Sequence, residues 1–354
     1  MPRHFAVTAR SFPGVVPSSQ AIRRGPVLGR VARYGGHGIS EPCGELALSA
    51  TGTRARGFLD SDFVHGFRRS PVAIASAMVA LVLILAATFA PWIAPHDPTD
   101  LASLSLLDSF KPPWPAAESD WLNPLGTDSQ GRDVLSAIMF GMRISLLVGF
   151  CSVAIAVVLG IVVGLAAGYL GGAIDTILMR IADVQLTFPA ILSALMINGI
   201  VGAALPRTMR DEMQIPVIIV SIGISLWPGI ARTVRGSTLV ERNKEYVLAA
   251  RVIGVPASRI MLSHVLPNVI GPVLVLATLG LGGAVLTEAT LSFLGVGLPP
   301  TQPSLGTLIR YGNDFLFSGQ WWVTIFPGAA LVLMVLSINL LGDWLRDALN
   351  PRLR

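Results

Sequence analysis

Apolar residues along this chain gather in six runs divided by more polar stretches of unequal length, with no sign of strand-like alternation. Val72–Ala94 (VAIASAMVALVLILAATFAPWIA) and Ile144–Gly168 (ISLLVGFCSVAIAVVLGIVVGLAAG) carry no charged residue. Each is long enough to cross about 30 Å of hydrocarbon as a helix. Val184–Leu205 (VQLTFPAILSALMINGIVGAAL) reads as a third span kinked at Pro189, and Ile215–Ala231 (IPVIIVSIGISLWPGIA) as a short fourth ending near Pro228. Val269–Thr287 and Trp321–Leu341 complete the set, with Trp321 and Trp322 placed to mark the interface of the last helix. Hydrocarbon leaves backbone groups no partner but the chain itself, so runs of this length predict helices. The pattern therefore predicts an all-α membrane protein with six transmembrane helices.

Composition sharpens the picture. Of 354 residues, 52% are hydrophobic and 13% charged, too little charge to coat two soluble globules. The net charge of +5 reads as an excess of cytoplasmic Lys and Arg, with no nucleic-acid partner implied. Cys43 and Cys151 form no framework, and five scattered histidines form no metal spacing, so no metal or cofactor site is expected on this chain. Residues 1–66, with the Arg- and Gly-rich AIRRGPVLGRVARYGGHGIS, predict a disordered tail without the apolar core of a signal peptide. A transit-peptide composition, or a true start near Leu59 or Val64, both fit it.

With the N-terminus inside, twelve basic residues fall on the inner side: Arg68, Arg69, Arg180, Arg232, Arg235, Arg242, Lys244, Arg251, Arg259, Arg346, Arg352 and Arg354. Six fall outside, at Lys111, Arg132, Arg143, Arg207, Arg210 and Arg310. The bias predicts that both termini are cytoplasmic. Residues 67–143 then form the first transmembrane helix and an acidic outer loop, and residues 144–354 the core.

One inner segment is neither span nor simple connector. KEYVLAARVIGVPASRIMLSHVLPN (Lys244–Asn268) places Tyr246, Ala249, Ala250 and Ile253 at helical spacing, a stripe of mostly small side chains. Gly254 permits a turn, Pro256 suits the start of a second helix, and Leu266–Pro267 ends the unit. An amphipathic helix resting on lipid headgroups normally presents Leu, Phe or Trp. Alanines favour a protein groove.

AARVIGVPASRIMLSHVLP resembles the EAA loop of permease subunits of binding-protein-dependent ABC importers, with Ala249, Ala250, Gly254, Leu266 and Pro267 at the matching positions. Leu248 stands where that pattern has Glu, and His264 where it often has Ile. The stretches Asn123–Gly149, Gly168–Pro189, Glu288–Ile309 and Phe326–Arg354 are similar to the C-type permease of the dipeptide, oligopeptide and nickel branch, so the resemblance spans about residues 65–354. It implies a type I ABC importer permease fold in a bacterial inner membrane, with a coupling loop at 232–267. That loop, with Tyr246 on its first helix, would seat in a groove of a cytoplasmic ATPase. The implied partners are a second, similar permease, two ATPases and an extracytoplasmic substrate-binding protein. Cargo would be a peptide or a related solute such as a nickel chelate or glutathione. Nucleotide and magnesium would sit on the ATPases, and no GxxxxGK[ST] loop occurs here.

Other polar residues have two readings. Glu288 would line the translocation path or an outer gate, or else lie at a wet interface bonded to the next turn. Asp128, Arg132 and Asp133 would meet the binding protein, or else form a turn and helix cap, for which Asp128 and Ser129 are suited. Asn198 and Asn339 suit bonds between helices. Asp175, Arg180 and Asp183 would shape a second inner contact or a solvated loop. A secondary transporter would need paired intramembrane charges or repeats, and a membrane hydrolase a Ser/His or metal constellation. The runs show neither, and no histidine lies inside any of them.

Overall fold

The computed structural model describes residues 62–98, 106–116, 119, 121–206, 209–299 and 302–349. Of the tail expected at 1–66, residues 1–61 lie outside the described residues, while Asp62–Arg69 forms a helix, α1. The remaining helices are α2 (Pro71–Thr88), α3 (Ala90–Ile93), α4 (Val134–Leu170), α5 (Gly172–Leu186), α6 (Ala190–Ala204), α7 (Arg210–Glu241), α8 (Glu245–Val252), α9 (Ala257–Ile260), α10 (Leu266–Phe293), α11 (Leu305–Asn313) and α12 (Trp322–Leu349). Among the described residues there is no β-strand, only an isolated bridge between Thr127 and Asp133.

Five helices are long and apolar enough to cross a membrane, and six if the bent pair α5–α6 counts as one. The bend corrects the expected third span. Pro189 does more than kink it, because α5 and α6 meet at 95° across Thr187–Pro189. Pro189 has no N–H to continue the ladder and drives Phe188 away from helical dihedrals. The 15 residues of α6 reach only about 22 Å.

The fourth span is long rather than short. Arg210–Gln214, which precedes the expected span, opens α7, and α7 runs unbroken through Pro216 and Pro228 to Glu241. Pro228 cannot donate to the carbonyl of Ile224. The Gln185 side-chain amide of α5 donates to that carbonyl instead, while its oxygen accepts from Trp227 Nε1 at 3.0 Å. A foreign side chain thus satisfies the group that proline frees. The second span also begins earlier than expected, since Asp133 caps α4 and Val134–Arg143 extend it.

The seam between α4 and α7 is built on glycine. A Cβ at Gly160 would meet Ile230 Cγ2 at 2.6 Å, at Gly164 the carbonyl of Ala231 at 2.6 Å, and at Gly168 Thr238 Cβ at 2.7 Å. This four-residue spacing brings the two backbones together where Gly160–Gly168 meets Ile230–Thr238. The opposite face of α4 exposes Leu147, Phe150, Val158 and Val162. Large apolar side chains turned outward along such helices suit lipid or another membrane subunit rather than water.

Contacts between helix ends sort the bundle into two ends. At the first, His96 N–H donates to Ser136, Trp322 Nε1 donates to the Thr127 carbonyl at 3.1 Å, and Asn198 donates to the Val296 carbonyl. Trp322 is consequently buried, and of the expected tryptophan pair only Trp321 is exposed. At the second, Arg242 reaches the Gly168 carbonyl at 2.7 Å, and Phe67 packs edge-on against Trp344 with centroids 5.0 Å apart. The segment α8–α9 belongs to this second end.

Candidate functional site

The segment that links α7 to α10 begins later than 232, because α7 continues through Arg232 to Glu241. A three-residue turn, Arg242–Lys244, leads into α8. Gly254 then closes α8 with φ +86°: its N–H bonds to the Arg251 carbonyl and Val255 N–H to the Ala250 carbonyl, both at 3.0 Å. This paired C-cap requires a left-handed residue, which glycine adopts without strain. Pro256 caps α9, and a π-turn at Met261–Val265 carries the chain into α10. Leu266–Pro267 therefore lies inside one continuous helix, Ala257–Phe293, rather than ending a unit, and the π-turn before it accommodates a proline that has no N–H to donate.

The expected stripe of Tyr246, Ala249, Ala250 and Ile253 is divided between two faces. Ala250 and the fully buried Val247 pack inward with Tyr169, Val234, Ile260 and Val265. Outward-facing are Leu248 at 46%, Val252 at 88% and Ile253 at 80% exposure, together with Ala249. Four-residue spacing joined Tyr246 to Ala250, but on so short a helix the inward direction is set by Val247 and Ala250, three apart. Apolar side chains of this exposure at a chain surface mark a place that another molecule covers.

Tyr246 faces both ways. The residue is 38% exposed, while its hydroxyl donates to Glu241 Oε2 at 2.6 Å and accepts from Asn268 Nδ2 at 3.0 Å. Burial, and the Glu241 carboxylate it faces, push this hydroxyl up to about 12, so it keeps its proton. Lys244 Nζ holds the other Glu241 oxygen at 2.6 Å. Arg251 anchors α8 to the end of α4, donating to the Tyr169 hydroxyl at 3.3 Å with its guanidinium carbon 4.9 Å from the ring centroid. Glu241, Asn268 and Tyr169 went unread in the sequence. The closeness of Glu241 to Lys244 and Tyr246 was a usable signal, whereas no periodicity connects Tyr246 with Asn268, 22 residues on. His264, in the π-turn, presents its carbonyl to Asn268 at 2.8 Å, and its Nδ1 is buried without a hydrogen-bond partner among the described residues.

The expected second inner contact turns back on the chain. Asp175 pairs with Arg235, accepting from Nη2 at 2.7 Å, and Asp183 pairs with Arg232, so both aspartates bind α5 to α7. Arg180 stays exposed.

At the first end, Glu288 is 0% exposed, so it lies at no wet interface, although it does bond to the next turn as that reading expected. Ser145 Oγ of α4 donates to one carboxyl oxygen and Ser292 Oγ to the other, each at 2.7 Å. Ser145 in turn accepts from Leu305 N–H at 3.4 Å, so the node joins α4, α10 and the start of α11. Asp128, Arg132 and Asp133 are also buried, so their side chains offer no surface to a binding protein. Asp128 accepts from the backbone of Gln130 at 2.8 Å and of Arg132 at 2.9 Å, and from Arg132 Nε at 2.7 Å. Asp133, rather than Asp128 or Ser129, caps α4 by accepting from Ser136 N–H at 2.8 Å. Asn198 bonds to the Val296 carbonyl in the loop after α10, and Asn339 of α12 lies against Gly282 of α10.

Residues 160–354 match the profile of a family described as the inner membrane component of binding-protein-dependent transport systems. Residues 60–113 match the N-terminal transmembrane domain of oligopeptide transport permease C. The di/tripeptide transport system permease protein of Pseudomonas aeruginosa is 38% identical over 294 residues, covering 83% of this chain and 92% of its own length. The dipeptide transport system permease protein of Escherichia coli K12 is 40% identical over 293 residues, 83% of this chain and 93% of its own. The dipeptide transport system permease protein of Haemophilus influenzae is 36% identical over 296 residues, 83% of this chain and 95% of its own.

Proposed function

The chain belongs to the family of inner-membrane components of binding-protein-dependent transport systems, and we propose from that premise that it forms half of the pore of an ATP-driven peptide importer. As a permease subunit it is a multi-pass inner-membrane protein. A second, similar permease completes the pore, two ATPases dock from the cytoplasm, and an extracytoplasmic binding protein delivers cargo. The peptide class is carried over from relatives that are themselves permeases for dipeptides and tripeptides. The membrane is a bacterial one, and both termini are cytoplasmic, in keeping with the Lys/Arg bias. The chain carries no cofactor and catalyses nothing. ATP and magnesium belong to the ATPases, whose closure moves the permease halves as rigid bodies between inward- and outward-open states.

The observation that carries the reading is the uncovered apolar face of α8, Leu248, Ala249, Val252 and Ile253, on a helix firmly packed through its other face. It is displayed on the side where the basic residues collect. Covering such a face by an ATPase groove gains roughly 25 cal/mol per Å². Val252→Arg places a charge in that groove and is expected to abolish co-purification of the ATPase and peptide uptake while the permease still inserts. Retention of the ATPase by this variant would sink the assignment of the face.

A further inference from the structure

We propose that Tyr246 is a positioning residue that clamps α7, α8 and α10 into one moving body, so that a push on α8 reaches both membrane helices that leave it. The inference rests on the reading of α8 as the ATPase-docking helix.

The covalent path from α8 to the membrane is compliant. On one side lies the turn Arg242–Lys244, and on the other the Gly254 turn, after which Ala257–Phe293 runs as one continuous helix. Each is a place where backbone dihedrals can absorb a rotation. The inward apolar contacts of Val247 and Ala250 resist separation without being directional, and the directional contact of Arg251 reaches Tyr169 of α4, not α7 or α10.

The Tyr246 hydroxyl bypasses both compliant stretches. It donates to Glu241, the last residue of α7, at 2.6 Å, and accepts from Asn268, the third residue of α10, at 3.0 Å. Its two partners are themselves held. Lys244 fixes the second carboxyl oxygen of Glu241 at 2.6 Å, and Asn268 donates to the His264 carbonyl at 2.8 Å. Glu241 is buried, and a hydrogen bond to a carboxylate is among the stronger and more directional contacts available. One hydroxyl on α8 thus fixes the end of α7 and the start of α10 relative to each other and to the docking helix. Its bonds stay within the chain, which separates this role from docking itself.

The test uses the whole importer in proteoliposomes, reading peptide taken up per ATP hydrolysed with a labelled dipeptide that the wild type transports. Tyr246→Phe keeps the ring and removes the clamp. The complex is expected to keep its ATPase and to hydrolyse ATP, while peptide per ATP falls about tenfold, the scale of one hydrogen bond to a charged group. Asn268→Leu, which removes the clamp from the α10 side, is expected to give the same loss, and the double variant no more than either alone. A purely structural role would lower abundance, uptake and hydrolysis together and leave the ratio unchanged. An unchanged ratio in either variant that inserts, or independent losses that multiply in the double variant, overturns the clamp. Failure of the docking reading has a different signature: Val252→Arg would keep its ATPase whatever the ratio in the Tyr246 variants.

Discussion

The two ends of this bundle set their polar groups in different surroundings. At the first end, Glu288, Asp128, Arg132 and Asp133 turn inward and spend their hydrogen bonds on their own turn, cap or neighbouring helix. At the second, Glu241, Tyr246, Asn268 and Arg251 bridge separate elements, and the apolar side chains beside them are left bare. The same helices serve both. Ser145 and Tyr169 lie on α4, and Glu288 and Asn268 on α10. The contrast separates two tasks. Buried groups bonded inside the bundle fix the shape of a wall, whereas a bridged helix with a bare face suits being covered and moved. Substitutions at the first end should therefore act on stability, and those at the second on assembly and coupling.

The largest effect at the first end is expected at Glu288. Glu288→Ala leaves the Ser145 and Ser292 hydroxyls without their acceptor and opens a void between α4, α10 and α11. The expected cost is about 2 kcal/mol. Thermal unfolding of the purified complex in detergent reads it as a lowered midpoint. Glu288→Gln, which keeps a side-chain oxygen for one serine, should lose less. A midpoint that stays or rises in the alanine variant would mean that the node does not hold α11. A smaller loss follows at the α4 cap, where Asp133→Ala removes the acceptor for Ser136 N–H, for about 1 kcal/mol. Asp133→Asn should recover most of it. In both cases ATPase co-purification should match wild type, and its loss would blur the contrast between the ends.

Much of this was legible in the sequence, and the failures have physical causes. Uninterrupted apolar runs located the spans, because only helices satisfy their backbone in hydrocarbon. Boundaries failed where a helix continues beyond lipid in polar sequence, as at Arg210–Gln214 and Arg232–Glu241, since hydropathy reports the solvent and not the hydrogen-bond ladder. Pro189 and Pro228 look alike in the sequence. One breaks its helix and the other does not, and the difference lies in Gln185, 43 residues before Pro228, which supplies the missing bond. The EAA-like spacing pointed to Lys244–Asn268 as a docking segment, while the helical spacing placed Ala250 on its outer face. Which face is inner depends on Val234, Ile260 and Val265, all remote from α8 in sequence or beyond its turn. The Tyr246 clamp was hidden for the same reason, as was the seam at Gly160, Gly164 and Gly168, whose spacing is plain but whose partner helix is not.

The smallest effect expected on stability, and the finest test of the contrast, is at Leu248, where the family pattern has a glutamate. Its side chain is half-exposed beside the more prominent Val252, one turn further along the same face. Leu248→Glu removes no contact within the chain, so the midpoint of unfolding should move by less than about 0.5 kcal/mol equivalent. Its consequence belongs wholly to the covered surface. If the groove that receives α8 in this importer is apolar there, burying the carboxylate without a partner weakens ATPase co-purification by roughly tenfold or more. If the groove keeps a basic or hydrogen-bonding group, the variant binds as well as wild type or better. The leucine present in this chain favours the first outcome, since Val252, Ile253 and Leu248 make one continuous apolar face that a charge would interrupt. Tighter retention of the ATPase by the glutamate variant would show instead that the partner's groove retains a complement for a carboxylate that this chain has given up.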